Sequence, residues 1–378
     1  MSAMSRMKSL VEDTLDRIFP KRRIYLPASL RALLDRDGLR IVDVGGAMGP
    51  DERWKVLGLE LCRFVTFEPD SRSFKKLAID STGRNASLAV GLSDKEGDET
   101  LYLTHGQFAS SLYRPNAAVL KDYATWPWHE SAGETKIPVD TLDHALADHR
   151  EWWPEFIKVD VEGADLDVLK GATTCLPDVF GVQVEVAFVE RNIGAPLQPE
   201  IDSWLRAAGF IPHQVIREHW IRNNGIFGAT SRPQLIWADV VYFRDRSWSL
   251  SKLERASVPD RIVIMTKMMA VLLAYGAHDY ALELIEAAVS AGHVTANQRA
   301  DLIDAVKGSV IAVPGYVVRG SIALLLSLAV GAVLLPFGST FRAVGRQIVA
   351  KQAMPLFFTM YRSASRTGLQ NSCISDLP

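Results

Sequence analysis

Residues 41–49 read Ile-Val-Asp-Val-Gly-Gly-Ala-Met-Gly, an apolar strand that ends in an acid and continues into a turn of small residues. Such a turn lets a ligand approach the backbone closely, and open α/β sheets bind ligands at the carboxyl ends of their strands. The spacing departs from the dinucleotide pattern Gly-x-Gly-x-x-Gly, because Ala47 stands at the middle glycine. The candidate cofactor contacts in this stretch are Asp43, Gly45, Gly46, Ala47 and Gly49.

A second strand also ends in an acid, in the stretch Val-Thr-Phe-Glu-Pro-Asp at residues 65–70. Glu68 lies 23 residues beyond Gly45, close to the separation of about 20 residues at which an acid accepts the ribose hydroxyls of an adenosine-type cofactor. Pro69 then turns the chain into a helix that we predict over residues 72–80. Because the glycines that bind pyrophosphate are missing, the pattern favours S-adenosylmethionine over NAD.

A third predicted strand, residues 86–92, leads into Ser93 and Asp94. If this strand lies beside the second one, Asp94 comes at the same edge of the sheet and is a candidate contact for the adenine ring. The alternative is an exposed turn, since the residues that follow are Lys, Glu and Gly.

The most specific stretch is residues 157–172, Ile-Lys-Val-Asp-Val-Glu-Gly-Ala-Asp-Leu-Asp-Val-Leu-Lys-Gly-Ala, which joins a strand, an acidic turn and a short helix. Asp160 and Glu162 are two residues apart, so on an extended chain they face the same side. Two carboxylates that converge at the ligand-binding edge can supply a general base. The alternative is that one of them only caps the helix. Glu185, at the end of a later strand, is the next candidate base.

Together these stretches resemble the FkbM family of S-adenosylmethionine-dependent methyltransferases. Three further stretches fit the resemblance: residues 182–188, 204–210 and 238–243. The resemblance runs over residues 38–245 and implies the class I, Rossmann-like α/β fold. In that fold a seven-stranded, mostly parallel sheet has an antiparallel last strand.

The resemblance also implies O-methylation, commonly of a hydroxyl on a sugar or polyketide-like acceptor. By position, Asp43 and the three glycines match the loop on the methionine side of the cofactor, and Glu68 matches the ribose acid. Asp160, Glu162 and Gly163 match the family's signature turn. Ala47 departs from the family, which often has Asn there, so a side-chain contact to the cofactor is in doubt.

The order of apolar runs predicts four regions. An N-terminal helical segment covers residues 1–37, the methyltransferase domain 38–247, a helical extension 248–309 and an apolar tail 310–378. The predicted strands are residues 39–44, 62–67, 86–92, 156–161, 179–186 and 238–243. The helices predicted in the extension are residues 252–276, 279–291 and 298–306, which pack on the domain or form a homodimer contact.

Residues 101–153 show little periodicity and are predicted as loops or a lid over the site. Their aromatic residues, such as Trp126 and Trp128, either pack within the lid or stack on a sugar ring. His105, His213 and His219 are weaker candidate bases, because a lone histidine is more often structural.

Composition narrows the function classes. The formal charge of −2 gives no electrostatic footprint for nucleic acid. Three widely spaced cysteines form neither a disulfide framework nor a zinc pattern, which favours a reducing cytoplasm. Acids near the N-terminus interrupt the apolar core that a signal peptide requires.

A mean hydropathy of +0.06 has a local cause, because residues 320–341 form a stretch of 22 residues without a charge. The length suffices for a spanning helix, but Pro336 shortens its core. The basic residues that follow favour a cytoplasmic tail. We therefore expect a re-entrant or surface contact at the cytoplasmic face of the membrane, with a true span and a buried helix as alternatives.

The predicted mechanism is direct transfer of a methyl group to an acceptor hydroxyl, with Asp160 as the first candidate base. Asp160, Glu162 and Glu185 offer hard oxygen ligands that suit Mg²⁺, but we do not expect a metal cofactor. A rival of another class is a non-catalytic scaffold that keeps the fold and anchors a glycan-assembly complex at the membrane. A sugar-type methyltransferase with a membrane-associated tail suggests a surface polysaccharide or lipid-linked glycan as the acceptor.

Overall fold

Ten strands form in the part of the chain that the computed structural model describes, which is residues 24–47, 49–74, 84–223 and 233–310. In chain order they are β1 (Leu39–Val44), β2 (Cys62–Phe67), β3 (Ala86–Leu88), β4 (Gly91–Leu92), β5 (Gly97–Thr104), β6 (Ser131–Asp140), β7 (Phe156–Val159), β8 (Gly181–Ala187), β9 (Phe210–Trp220) and β10 (Gln234–Arg244).

The α-helices in the same residues range from single turns to a helix of 17 residues. They are α1 (Ala28–Asp37), α2 (Glu52–Leu57), α3 (Ser71–Phe74), α4 (Ala117–Leu120), α5 (Trp126–His129), α6 (Leu142–Ala145), α7 (Asp165–Lys170), α8 (Gln198–Ala207), α9 (Arg246–Arg255), α10 (Val258–Ala274), α11 (His278–Ser290) and α12 (Ala296–Val310).

Seven strands form the central sheet in the order β3-β2-β1-β7-β8-β10-β9. The first five are parallel to one another, and β10 lies antiparallel between β8 and β9. This arrangement confirms the predicted mostly parallel sheet with an antiparallel last strand. Strand β8 is buried at every position, the polar residues Gln183 and Glu185 included, as expected of a strand that is covered on both faces.

The register of the parallel strands brings the predicted acids to one edge. Val44, at the end of β1, pairs with Phe67 of β2 and with Val159 of β7. The residue that follows each strand, including Glu68 and Asp160, therefore emerges at the same carboxyl edge. Val159 in turn pairs with Val184, so that Glu185 of β8 lies at the same level.

Two sequence predictions are wrong in this region. The single strand predicted over 86–92 is split into β3, in the central sheet, and β4, in a second sheet of order β4-β6-β5. The segment predicted as irregular contains the ten-residue β6. Its buried side chains are Ile137 and Val139, and an alternation of only two apolar residues is too short to predict a strand. Strand β9 was not predicted for a similar reason, since its middle is exposed or half-buried.

The C-terminal helices differ from the prediction in extent, and they pack on the domain, which was one of the two arrangements expected. The helix predicted over 252–276 breaks at Ala256 and Ser257, and Pro259 lies in the first turn of α10. Side chains of α10 share one apolar cluster with Phe156 and Phe243 of the sheet. The boundary predicted near residue 247 therefore falls inside one compact unit, made of Arg23–Ile226 and Arg232–Ser309.

Several predictions concern residues outside the described ranges: residues 1–23 of the N-terminal helical segment, most of the helix predicted over 72–80, and the apolar tail beyond Val310. Within residues 24–37 the predicted helical segment contains α1. Among the helices of the described residues, none has the length and apolar composition needed to cross a membrane.

Replacing Leu272 of α10 with Ala tests whether this helix belongs to the core of the sheet domain. Leu272 is fully buried, so the free energy of unfolding should fall by about 2–5 kcal/mol, measured by urea denaturation. The matched control is Leu282→Ala on α11, where the side chain is 37% exposed and the loss should stay below about 1 kcal/mol. If the protein unfolded in two transitions and Leu272→Ala affected only one of them, α10 would not share a core with the sheet.

Candidate functional site

The turn after β1 lies directly against the turn after β7. Gly45 adopts φ 79°, and a Cβ atom there would stand 1.9 Å from the carbonyl oxygen of Asp160. The Gly45 amide donates to the Phe67 carbonyl (2.9 Å), and the Asp160 amide donates to the Val44 carbonyl (3.0 Å). Only glycine meets both demands at position 45, so the small-residue turn predicted from sequence has a steric cause.

Asp43 lies under this turn and is 3% exposed. A Cβ atom at Gly46 would stand 2.3 Å from Cγ2 of Thr66 and 3.1 Å from Oδ2 of Asp43. In the described part of the chain Oδ1 of Asp43 has no hydrogen-bond partner, and the nearest cation, Lys158 Nζ, is 3.6 Å away. Burial raises the pKa of Asp43, while Lys158 opposes that shift. Oδ1 of Asp43 is therefore a buried acceptor whose charge is offset by Lys158 alone among the described residues.

The rest of the turn is open. Ala47 is half-buried, and the Gly49 amide donates to the Gly46 carbonyl (2.9 Å). Gly49 has φ 75°, and no atom lies within 4 Å of a Cβ built on it. Backbone groups here face free space, as a cofactor loop requires.

The acid at the end of β2 is buried and partly satisfied. Glu68 is 6% exposed, and its Oε1 accepts from the Asp70 amide (2.8 Å) across Pro69. Burial, together with the nearby Asp70 and Asp43 carboxylates, raises the pKa of Glu68 to about 7. The carboxyl group of Glu68 therefore titrates in the physiological range.

Asp70 connects this strand end to the segment between β5 and β6. Arg72 forms an ion pair with Asp70 at 2.5 Å and also donates to the Ser110 hydroxyl (3.0 Å) and the Thr104 carbonyl (3.2 Å). The segment predicted as a lid is thereby attached beside Glu68.

Asp94 lies apart from the other predicted cofactor residues. It is exposed in the turn between β4 and β5, outside the central sheet. Its charge acts on Asp167 and Tyr113, whose hydroxyl donates to Asp167 Oδ2 (2.7 Å). The role of Asp94 as an adenine contact stays a prediction.

The three predicted catalytic carboxylates do come together. One oxygen each of Asp160, Glu162 and Glu185 lies within 4.8 Å of the other two. Glu162 has φ 56°, the only positive φ of a non-glycine residue in the described ranges. Asp165, 1% exposed, accepts from the amides of Val161 (3.2 Å) and Gly163 (2.9 Å). Asp165 therefore holds the turn that presents Glu162.

Arg191 binds two of these carboxylates and was missed from the sequence. Its guanidinium donates to Glu162 Oε2 (3.0 Å) and to Glu185 Oε1. Arg191 is 4% exposed, and its guanidinium carbon lies 5.9 Å from the ring centres of both Trp220 and Trp237. A single arginine in the loop after β8 forms no sequence motif. Its contacts with the acids and the tryptophans arise only because β8, β9 and β10 are adjacent in the folded sheet.

Lys158 balances the third carboxylate. Its ammonium lies 2.9 Å from Asp160 Oδ2, and it follows Ile157 in β7. Burial acts to lower the pKa of Lys158, but the Asp160 and Asp43 carboxylates outweigh it and raise that pKa above its ordinary value. Lys158 therefore stays charged and holds Asp160 in place.

The carboxylates differ in their access to a ligand. Burial raises the pKa of both Glu162 and Glu185, and the charge of Arg191 opposes that shift. The side chains of Glu162 and Glu185 are 13% and 4% exposed, whereas that of Asp160 is 34% exposed. Asp160 is the carboxylate that a substrate can reach. The same triad could also hold a divalent cation, but Arg191 already donates to two of its members.

The segment between β5 and β6 packs beside Arg191. His129 of α5 is 7% exposed with its ring 5.1 Å from Trp220, and burial lowers its pKa to about 4. Trp128 is 58% exposed and meets Phe108, which is 50% exposed, edge to face at 5.8 Å. His129 and Trp126 therefore pack within the fold, and stacking of the exposed Trp128 on a sugar ring stays a prediction.

The sheet order and the strand-end residues define a class I methyltransferase fold, and the class of activity is methyl transfer from S-adenosylmethionine. Residues 45–212 match the family model described as the methyltransferase FkbM domain. This part of the chain is therefore a methyltransferase domain of the FkbM family.

Two solved structures are similar to this chain. One is magnesium protoporphyrin IX methyltransferase from Synechocystis PCC 6803 with bound S-adenosylmethionine (10% identity, TM-score 0.27, covering 63% of this chain and 82% of that chain). The other is Sp1610 from Streptococcus pneumoniae, proposed to be a tRNA (m1A22) methyltransferase (12% identity, TM-score 0.25, covering 75% and 98%). No curated protein sequence matches this chain.

Replacing Arg191 with Met leaves Glu162 and Glu185 buried without their cation. The free energy of unfolding should fall by about 3–5 kcal/mol at neutral pH, measured by chemical denaturation. The loss of stability should shrink as the pH falls, because the pKa values of Glu162 and Glu185 lie higher in the folded variant than in the unfolded chain. The folded variant then binds more protons than the unfolded chain, and this stabilises it. Adding Glu185→Gln to the variant should recover part of the loss.

Arg206→Met is the control, because Arg206 is 54% exposed and pairs with Asp202 on the surface of α8. Its removal should cost less than about 1 kcal/mol. Equal losses for the two arginine variants would show that Arg191 does not neutralise the acid cluster.

Proposed function

We propose that this protein is an S-adenosylmethionine-dependent O-methyltransferase that acts on a hydroxyl of a sugar, a glycan or a related acceptor. The observation that carries the proposal is the acid cluster at the carboxyl edge, in which Asp160 is accessible and directly adjoins the Gly45 turn. A nucleophile that must lose a proton is served by such a carboxylate.

Residues of this chain fit the cofactor. Oδ1 of Asp43, which accepts no hydrogen bond within the described residues, suits the amino group of the cofactor's methionine part, and the small residues Gly45, Gly46 and Gly49 leave room for it. Glu68 suits the ribose hydroxyls. When bound, the cofactor supplies a methyl group on a positively charged sulfur, which an oxygen nucleophile can accept.

In the proposed mechanism Asp160 accepts the proton of the acceptor hydroxyl. Lys158 holds Oδ2 of Asp160 at 2.9 Å, so one carboxylate oxygen is anchored while the carboxylate stays accessible. Arg191 donates to Glu162 and Glu185 and so fixes both acids beside Asp160. The positive charge that a metal would supply comes from Arg191 and Lys158, so we propose that no metal is needed.

Replacing Asp160 with Asn should lower methyl transfer by about 10²–10⁴-fold, because an amide cannot take the hydroxyl proton. Binding of S-adenosylmethionine, measured by isothermal titration, should persist. Transfer is measured with radiolabelled cofactor and cell-envelope fractions, followed by mass analysis of the methylated product. The control is Asp148→Asn, an exposed aspartate beyond α6. Near-normal transfer by the Asp160 variant would exclude Asp160 as the base.

Cofactor affinity should depend on the protonation of Glu68. With its pKa at about 7, Glu68 is neutral in acid and gains the charge that strengthens hydrogen bonds from ribose as the pH rises. The affinity should fall by up to about tenfold for each pH unit below 7 and level off above it. The cofactor's own groups also titrate, so Glu68→Gln serves as the reference. A wild-type profile parallel to that of the Gln variant would exclude this role.

The alternative function is a non-catalytic scaffold of a glycan-assembly complex. The complete set of acids at the edge of the sheet supports catalysis instead. The titration with S-adenosylmethionine discriminates between the two, because a scaffold with a degenerate site should give no binding heat.

We further propose that the protein is cytoplasmic and that its tail, residues 310–378, contacts the cytoplasmic face of the membrane. The uncharged stretch 320–341 and the basic residues after it support this location. Full-length protein should sediment with membranes, and protein that ends at residue 309 should not. Recovery of both forms in the supernatant would contradict the proposal. A homodimer through the helices after residue 247 likewise remains a proposal.

A further inference from the structure

A second cavity lies at the opposite edge of the sheet from the acid cluster. Its volume is about 580 Å³, within the range of small-molecule sites. It is lined by residues at the beginnings of strands, among them Arg40, Arg63, Glu155 and Phe180, and is covered by α9 and α10. Because parallel strands begin at one edge and end at the other, this cavity is distinct from the cofactor site.

The floor of the cavity holds one carboxylate between two cations. Glu155 accepts from the backbone amide of Arg40 (2.7 Å), from the Arg40 guanidinium (2.8 Å from Nε) and from Lys267 Nζ (2.9 Å). Lys267 is 7% exposed although it belongs to the middle of α10. These three side chains therefore carry one more positive than negative charge, and Lys267 is the most deeply buried of them.

The neighbouring charges do not remove the excess. Asp37 is paired with Arg36, and Arg63 donates to the Arg36 carbonyl. The acids around the mouth, Glu151, Asp178 and Asp260, are exposed, so water screens their charges, and Asp178 also pairs with Lys252. Burial lowers the pKa of Lys267, and Glu155 only partly restores it. A buried excess charge is unfavourable until an anion joins it.

The walls of the cavity are apolar and fixed. Trp248 lies 6.3 Å from Phe180, ring centre to ring centre, and Met268 and Val271 of α10 complete this side. The indole of Trp248 donates to the Pro177 carbonyl (3.2 Å), so its ring plane is held. A flat apolar group finds a preformed surface there.

We propose that this cavity is a second binding site for a small organic anion. A carboxylate or phosphate group of the ligand accepts from Lys267 and Arg40 at the floor, and its apolar body lies against Trp248, Phe180 and Met268. The ligand completes the charge balance that Glu155 alone leaves open.

The test is isothermal titration of the full chain with phenyl phosphate and with benzoate, which distinguish the two anionic groups. Benzyl alcohol is the uncharged comparison and inorganic phosphate lacks the apolar body. We expect saturable binding of at least one aromatic anion, weaker binding of inorganic phosphate, and none of benzyl alcohol. Lys267→Met should weaken the anion at least about tenfold. The matched control, Lys307→Met on α12, replaces an exposed lysine and should change nothing.

Lys267→Met also separates a ligand site from a purely structural ion pair. Arg40 still balances Glu155 in this variant, so its thermal midpoint should equal or exceed that of the wild type. A strongly lowered midpoint, or equal anion affinity in both proteins, would overturn the proposal. So would the absence of saturable binding of both aromatic anions, or equal binding of benzyl alcohol. Titration of the Met variant with S-adenosylmethionine checks that the first site is intact.

Discussion

The close approach of the β1 and β7 turns is the constraint on which the site depends. Gly45 has no side chain and a positive φ, and the Asp160 carbonyl occupies the space that a Cβ would need. Two strands that are far apart in sequence therefore deliver their next residues within contact distance. The cofactor loop and the accessible carboxylate become parts of one surface, and each requires the other to be correctly folded.

Charge balance is the second condition, because this edge of the sheet gathers many acids in a partly dry environment. Arg191 offsets Glu162 and Glu185, and Lys158 offsets Asp160 and, at longer range, Asp43. The cations come from different elements, the loop after β8 and the middle of β7. Their placement leaves the carboxylate of Asp160 accessible, while those of Glu162 and Glu185 accept hydrogen bonds from Arg191. Carboxylates of similar chemistry thereby acquire different roles.

The sequence was informative where a pattern has a local cause. The acid-ended strands at Asp43, Glu68 and Asp160 were predictable, because continuous apolar runs indicate buried strands and small residues indicate a tight turn. Strands β6 and β9 were not, since most of their side chains are exposed and the pairing partner decides their conformation. Arg191 could not be found either, because its function depends on three strands becoming neighbours. The helices after residue 247 were predictable, but the sequence left open whether they pack on the sheet or form a homodimer contact.

The extent of the family match and the extent of the folded unit are different. The match begins at residue 45, immediately after β1, and ends within β9, so it contains neither β1, which lies between β2 and β7, nor the antiparallel β10. The apolar face formed by Phe156 and Phe243 is completed by α10, which lies further along the chain. What is inherited as a recognisable signature is thus smaller than what must fold together. The C-terminal helices can diverge in sequence only as far as they still cover that face.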